Sequence, residues 1–530
     1  MVKYLQKMVW AIMKLKKIIL LLNTIKYLKF KQLYYRLYYK LFSSKKLILA
    51  EHSFYNLKLE PSIPLCRTYK NREFSFLNIS HKFNKKIDWN YKKYGKLWTY
   101  NLTYFDYLNQ KDINKDEALE LIYDFIENIG SIKDGLEPFP ISLRGINWIK
   151  FLTYNNIEDK TIANSLYSQY RVLYKNIEYH LLGNHLLENG FSLLFGAYYF
   201  RDNIFYKRAK EILNKELSEQ ILSDGTHFEL SPMYHQIMLF RLLDIINLVQ
   251  NSSWHKDDEF LGFLECKASV MLGFLEQIIF SNGDFPLVND SALNIAPTPK
   301  ELFNYAKELN IPTSQKKIRA SGYHMIKKGK YELFLDISEI KASYIPGHSH
   351  SDTFNFLLRV NSKDIVVDTG VSTYEANSTR DYERSSKAHN TVEIRGANQS
   401  EVWGAFRVAN RAKVIKKLYS PNKVVVAHNG YLKRFKTIHQ RAFEYEDNLI
   451  KITDTLTGKI KEGKAYLHFA NDVELVLKGN KLYANSVLFE FSSAKIELKK
   501  CYYSKEYNKK IESICAEIKF EKELIMEIKL

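Results

Sequence analysis

The chain has 530 residues, more than one hydrophobic core organises, so two or three domains are expected. Hydrophobic residues make up 46%, with only 11 prolines and 21 glycines, which excludes a disordered or collagen-like chain. With 78 Lys and Arg against 59 Asp and Glu, the formal charge is +19, which calls for a polyanionic partner; nucleic acid, anionic lipid and acidic polysaccharide satisfy it equally.

Residues 1–84 begin basic and amphipathic, with Lys14, Lys16 and Lys17 before an apolar run from Ile18 to Leu22 and five further cations up to Lys40. No run reaches the ~20 apolar residues of a membrane span. A signal peptide would need a longer apolar core and a small-residue cleavage site, and neither is clear, so the compartment stays open between cell envelope and cytoplasm. A basic amphipathic helix here either packs on its own domain or makes a peripheral contact with an anionic membrane. The pairs Tyr34-Tyr35 and Tyr38-Tyr39 favour packing. Four cysteines, Cys66, Cys266, Cys501 and Cys515, show no CxxC spacing and read as small buried hydrophobes.

Residues 85–315 carry helical periodicity, with apolar stretches at 117–129, 141–154, 162–182, 185–200, 206–222, 232–249 and 260–280 joined by short polar connections. From 316 to 530 the segments become short and rich in β-branched and aromatic residues, at 331–337, 354–360, 364–367, 390–395, 423–428, 449–453, 464–469 and 473–477. The fold class is therefore α+β and multidomain, helices first and antiparallel sheets second.

Three stretches carry more polar chemistry than packing requires. In 183–190, Asn184, His185 and Glu188 share a helix face by spacing, although Asn184 as a cap and Glu188 as a local pair is the plainer reading. In 224–236, Ser231-Pro232 marks a helix start and puts Tyr234 in the first turn. There the positive helix end and a neighbouring imidazole are expected to lower the phenol pKa from about 10. The plainer reading is a core tyrosine. In Pro346-Gly347-His348-Ser349-His350-Ser351-Asp352, an extended backbone would set His348, His350 and Asp352 on one side, offering a base, a metal ligand and an orienting group. Asp368 and His389 follow downstream, so chemistry outweighs a solvated strand end.

At these residues the chain resembles the heparinase II/III-like polysaccharide lyases, including the alginate-lyase-type branch. The resemblance spans most of the chain. It rests on 97–107, on Glu137-Pro138-Phe139-Pro140-Ile141-Ser142-Leu143-Arg144, on Asn184 to Asn189, on His227 to His235, on the His348 stretch and on Ala388-His389-Asn390-Thr391-Val392, in that order. It implies an incomplete (α/α) toroid followed by an antiparallel β-sandwich, with a cleft between them. By resemblance Asn184 and His185 would neutralise a uronate carboxylate, with Glu188 in support. Tyr234 would be the general acid/base and His348 its partner base. His350, Asp368 and His389 match the family's zinc ligands, although the interval from Asp368 to His389 is shorter here. Arg144 and Arg384 are assigned to anionic subsites on charge and position.

The resemblance implies β-elimination on an acidic polysaccharide. The weakly acidic C5 proton needs a base, the neighbouring carboxylate needs neutralising, and the departing O4 needs an acid. A C5-epimerase would use the same proton, and a glycan-binding or assembly factor without turnover is the reading from another class. Nucleic-acid binding leaves the His/Tyr constellation unexplained, so no nucleic-acid partner is expected.

Overall fold

The computed structural model describes residues 2–43, 46–65 and 67–530; Cys66 and the side chains of residues 2–9, 11 and 12 lie outside that description. Two helices come first, α1 (Val2–Ile25) and α2 (Phe30–Phe42). A small sheet of β1 (Tyr69–Lys70), β2 (Glu73–Phe76) and β3 (Ile79–Lys82), which periodicity did not signal, then leads into α3 (Lys96–Tyr104).

The toroid proper is α4 (Lys115–Asn128), α5 (Pro138–Tyr154), α6 (Lys160–Lys175), α7 (Gly183–Phe200), α8 (Asn203–Gln220), α9 (Pro232–Asn251) and α10 (Asp258–Ile278), closed by α11 (Pro299–Glu308). Their starts follow local chemistry. Asn114, Asp159, Asp202, Ser231 and Asp257 each accept hydrogen bonds from first-turn amides. Pro138 and Pro232 sit where a missing N–H costs nothing. Helices α5, α7 and α9 are buried nearly all round and form the inner ring, whereas α4, α6 and α8 keep a solvated face.

One expected helix is too long. The apolar spacing predicts one helix over 162–182, but α6 stops at Lys175 and the next seven residues form a loop. Asn176 ends the helix, its amide returning to Val172 and its side chain to the same carbonyl. The loop ends at Leu182 with φ 64° and ψ −156°, a region L-residues avoid at a cost of about 1–3 kcal/mol. That corner aims α7 and its first residues into the cleft.

Beyond α11 the chain builds antiparallel sheets. The four strands β4 (Tyr323–Lys328), β5 (Tyr331–Asp336), β6 (Asn355–Val360) and β7 (Lys363–Val366) pair in sequence order and lie against the toroid. Strands β5 and β6 are buried on both faces, which explains why residues 333–335 and 356–358 are apolar without alternation. Leu333, Leu335, Phe356 and Leu358 point into the β core, while Phe334 and Leu357 point into the core shared with the helices. Behind them stand an eight-stranded sheet, with Val414–Ser420 and Leu475–Lys478 as its edges, and a four-stranded sheet of Lys495–Glu506, Lys509–Glu521, Glu462–His468 and Val392–Glu393. The expected strand at 390–395 shrinks to Val392–Glu393, because Asn390 turns inward to serve the carbonyls of Phe356 and Val367. Cys501 and Cys515 are buried as expected, but Cys266 is exposed on α10.

Candidate active site

The residues singled out from sequence gather where the toroid meets the sheets, but through loops rather than a strand. Residues 346–352 are irregular; β6 begins only at Asn355. The extended reading therefore fails, and with it the shared face of His348, His350 and Asp352. His348 turns toward the helices, while His350 and Asp352 turn inward and are buried.

Arg384 explains how so polar a loop holds its shape. Its guanidinium donates to the carbonyls of Ser349, Gly404 and Ala405, at 2.9–3.2 Å. The expectation of Arg384 as an anion subsite is thus corrected: it is 1% exposed and spent on backbone. Arg144 receives the same correction. Fully buried, it serves Gln169 and the carbonyls of Thr103 and Gly135, bridging α5 to α6, α3 and the loop that precedes α5.

Tyr234, in the first turn of α9, stacks on His348 with ring centroids 3.9 Å apart and planes 17° from parallel. Ser231 caps this turn, accepting from the Tyr234 amide at 3.2 Å and donating to the Asp290 carbonyl at 2.7 Å. The pKa expectation for Tyr234 reverses. Burial, only partly offset by the Tyr374 hydroxyl, pushes the phenol above its ordinary value, so at neutral pH it holds its proton. The helix end does not overcome desolvation.

His348 Nδ1 donates to the Glu229 Oε2 carboxylate oxygen at 2.5 Å, so that in the neutral ring Nε2 is the accepting nitrogen. The other Glu229 oxygen accepts from the Asn184 amide at 3.2 Å. One buried carboxylate therefore ties the toroid half of the site to the sheet half. Burial would raise the Glu229 pKa, but His348 holds it below the usual range and the group stays charged. Glu229 lies within the segment 227–235, whose sequence assigns it no role; only its two partners reveal one. Tyr374 was also missed. Its hydroxyl lies 3.3 Å from that of Tyr234, and its ring stacks at a wider spacing over His348. Arg380, held bidentately by Asp290 at 2.5 and 2.6 Å, sits over the Tyr374 ring. Nothing local in residues 374–380 marks this arrangement.

On the opposite wall α7 brings Asn184 and His185. Asn184 does not cap the helix; Leu182 occupies that position, and the Asn184 side-chain oxygen is buried without a partner. His185 keeps a third of its side chain exposed beside Phe139 and meets Glu178 at 3.3 Å. Burial alone would lower its pKa, but Glu178, then Glu229 and Glu188, raise it above the ordinary histidine value. Glu188 does not line the cleft. It is buried 3.4 Å from Arg241, and burial lifts its pKa to about 7 while Arg241 pulls the other way.

The expected metal residues lie deeper. His350 Nε2 donates to Asp290 at 2.8 Å and His389 Nδ1 to Asp368 at 2.8 Å, with the two rings 5.2 Å apart. His350 Nδ1 and His389 Nε2 are buried and unpartnered. That pattern, one imidazole nitrogen free and a carboxylate behind the other, suits metal ligands. Asp368 fits less well, since Oδ2 also accepts from Asn355 and Oδ1 from the Gly370 amide. Among the described residues no three His, Cys, Asp or Glu side chains close on a single metal position.

Comparison with known proteins follows the same division. Residues 141–318 match the family model described as Heparinase II/III N-terminus, and residues 310–529 the one described as Heparinase II/III-like, C-terminal. A heparin-sulfate lyase from Bacteroides stercoris is 22% identical over 431 residues, covering 71% of this chain. The chain spans 60% of the length of that curated relative. Among solved structures, heparinase III superposes with a TM-score of 0.65 at 18% identity, covering 84% of this chain and 80% of that one. The heparan sulfate lyase of Pedobacter heparinus gives 0.55 at 16% identity, covering 94% and 87%. The likeness establishes the fold, an incomplete (α/α) toroid carrying an antiparallel β-sandwich.

Proposed function

Because the chain belongs to the heparinase II/III-like family, we propose that it is a polysaccharide lyase that cleaves a uronate-containing polyanion by β-elimination. The observation that carries the reading is the stack of Tyr234 on His348, a neutral phenol and an imidazole with a free Nε2, brought together from the toroid and the sheets.

In this reading His348 Nε2 takes the C5 proton of the uronate. The electron pair forms the C4=C5 bond, the C4–O4 bond breaks, and Tyr234 gives its proton to the departing O4. A phenol that keeps its proton suits the acid, and an imidazole whose Nδ1–H is pinned by Glu229 suits the base. Rings stacked 3.9 Å apart approach the sugar from one side, which favours loss of the proton and O4 from the same face. The charged form of His185, favoured by its raised pKa, would neutralise the carboxylate and so stabilise the enolate-like intermediate, with Asn184 beside it. Glu188, on the buried side of α7, acts through His185 and not on the substrate.

A zinc ion belongs to the same proposal. His350 and His389 would hold it through their unpartnered nitrogens, with Asp290 and Asp368 behind them. When bound it would crosslink the 346–352 loop to the turn before Val392–Glu393. The proton steps are assigned to Tyr234 and His348.

The test is a panel of acidic polysaccharides, including heparan sulfate, chondroitin sulfate and alginate, followed by ultraviolet absorbance of the new double bond. Absorbance growth with one uronate polymer and none with its neutral counterpart is expected. C5 deuterium uptake without absorbance would replace the lyase by an epimerase, and neither signal would leave a binding protein.

A further inference from the structure

Residues 1–50 contain twelve lysines and arginines and no aspartate or glutamate, so under a tenth of the chain carries more than half of the net charge of +19. Those cations whose side chains are described lie outside the cleft, and what they border on α1 and α2 is apolar and exposed.

Helix α2 has two faces. Gln32, Tyr35 and Tyr39, at i, i+3 and i+7, look inward: Gln32 donates to the carbonyls of Leu181 and Tyr344, Tyr39 to that of Ile177, and Tyr35 packs on Tyr179. Phe30, Leu33, Tyr34, Leu37 and Leu41, at i, i+3, i+4, i+7 and i+11, occupy the opposite arc and stand in solvent, Phe30 81% exposed, and Phe42 at the helix end is 67% exposed. Lys31 lies on one margin between the two arcs, and Arg36 and Lys40 on the other. Ahead of it, α1 exposes Trp10, Met13, Leu15, Ile18, Ile19 and Leu22, interleaved with exposed Lys14, Lys16 and Lys17. No helix among the described residues is long and apolar enough to cross a membrane.

We propose that α1 and the outer face of α2 form an in-plane anchor that docks this protein on an anionic lipid bilayer. An apolar arc bordered by cations is what the headgroup boundary receives: the apolar side chains enter the acyl region and the ammonium groups meet lipid phosphates. Charge decides against a second copy as the occupant, because pairing the segment with itself would oppose twelve cations to twelve with no acid between them. The docked face also has a functional address. Gln32 braces the loop before Asn184 and His185 against the loop before His348, so the bilayer would lie behind an element that touches both halves of the cleft.

The test is co-sedimentation of the full chain with vesicles of phosphatidylcholine alone or mixed equally with phosphatidylglycerol, at low and high salt. Binding to the anionic vesicles, weaker by about tenfold or more on neutral vesicles and reduced by salt, is expected. The variant Leu37→Gln/Leu41→Gln/Phe42→Gln changes only exposed side chains, so its thermal unfolding should match the parent while vesicle binding falls by about tenfold or more. A parent that ignores anionic vesicles, or a variant that binds them as the parent does, overturns the proposal. A parent that ignores vesicles and dimerises through these residues would assign the face to a second copy.

Discussion

Glu229 is the residue whose perturbation tests most of the reasoning at once. Glu229→Gln keeps the side chain's length and shape but removes its charge, so the charge-assisted bond to His348 Nδ1 becomes a neutral one that the amide can equally make through its own N–H. The imidazole is then no longer compelled to present Nε2 as an acceptor. Hydrogen bonds to charged groups contribute about 1.5–3 kcal/mol. If that increment is lost from the transition state, turnover falls by about 10–150-fold at ~1.36 kcal/mol per decade. The assay is initial-rate absorbance of the unsaturated product on whichever uronate polymer the parent cleaves, with kcat and KM separated. The larger loss should fall on kcat, through the base, with a smaller rise in KM because Glu229 also accepts from the Asn184 amide and helps keep His185 charged. Stability follows a definite sign. The Glu229 pKa is depressed in the fold, so its contribution is present above the unfolded value near 4.3 and is lost as pH falls through the folded value. The variant should therefore lose the part of acid sensitivity that the parent owes to this group. Full turnover in Glu229→Gln, with an unchanged pH profile, would refute the dyad and leave Glu229 a packing residue.

Tyr234→Phe deletes one hydroxyl with little change in packing, and turnover should fall by about 10²–10⁴-fold with substrate affinity nearly unchanged; retained turnover would return Tyr234 to the core-tyrosine reading. His185 should tie affinity to pH: its pKa is raised, so the charged form is complete below about 6.5 and is lost as pH rises through the raised value. KM should climb over that window in the parent and stay flat in His185→Gln, provided both remain folded by circular dichroism. Protein purified without chelator should carry about one zinc per chain by elemental analysis, and His389→Ala should lose the metal together with several degrees of Tm. Metal-free protein with the parent's Tm and activity would make His350 and His389 a hydrogen-bonded pair only.

Much of the architecture was legible because it depends on short-range patterns. Apolar spacing and the caps at Asn114, Asp159, Asp202, Ser231 and Asp257 determine where helices run, and Ser231-Pro232 by itself placed Tyr234 in a first turn. The change from helical to strand patterning near residue 320 likewise follows from residue type. What sequence could not decide is what depends on neighbours distant in the chain. Arg144 and Arg384 look like anion binders by charge, but they are buried and their guanidinium donors go to carbonyls of other segments and, for Arg144, to Gln169. The Tyr234 pKa moves opposite to the local expectation, because desolvation is set by the sheets and loops that bury the ring. Glu229, Tyr374 and the Asp290–Arg380 pair acquire roles only when segments far apart in the chain converge, since a hydrogen bond depends on a distance and periodicity carries no information about it. Patterning along the chain determined the layers of this protein; tertiary structure decided which of its many polar groups face the cleft, because burial and partner identity are properties of the closed fold and not of the strand of residues that makes it.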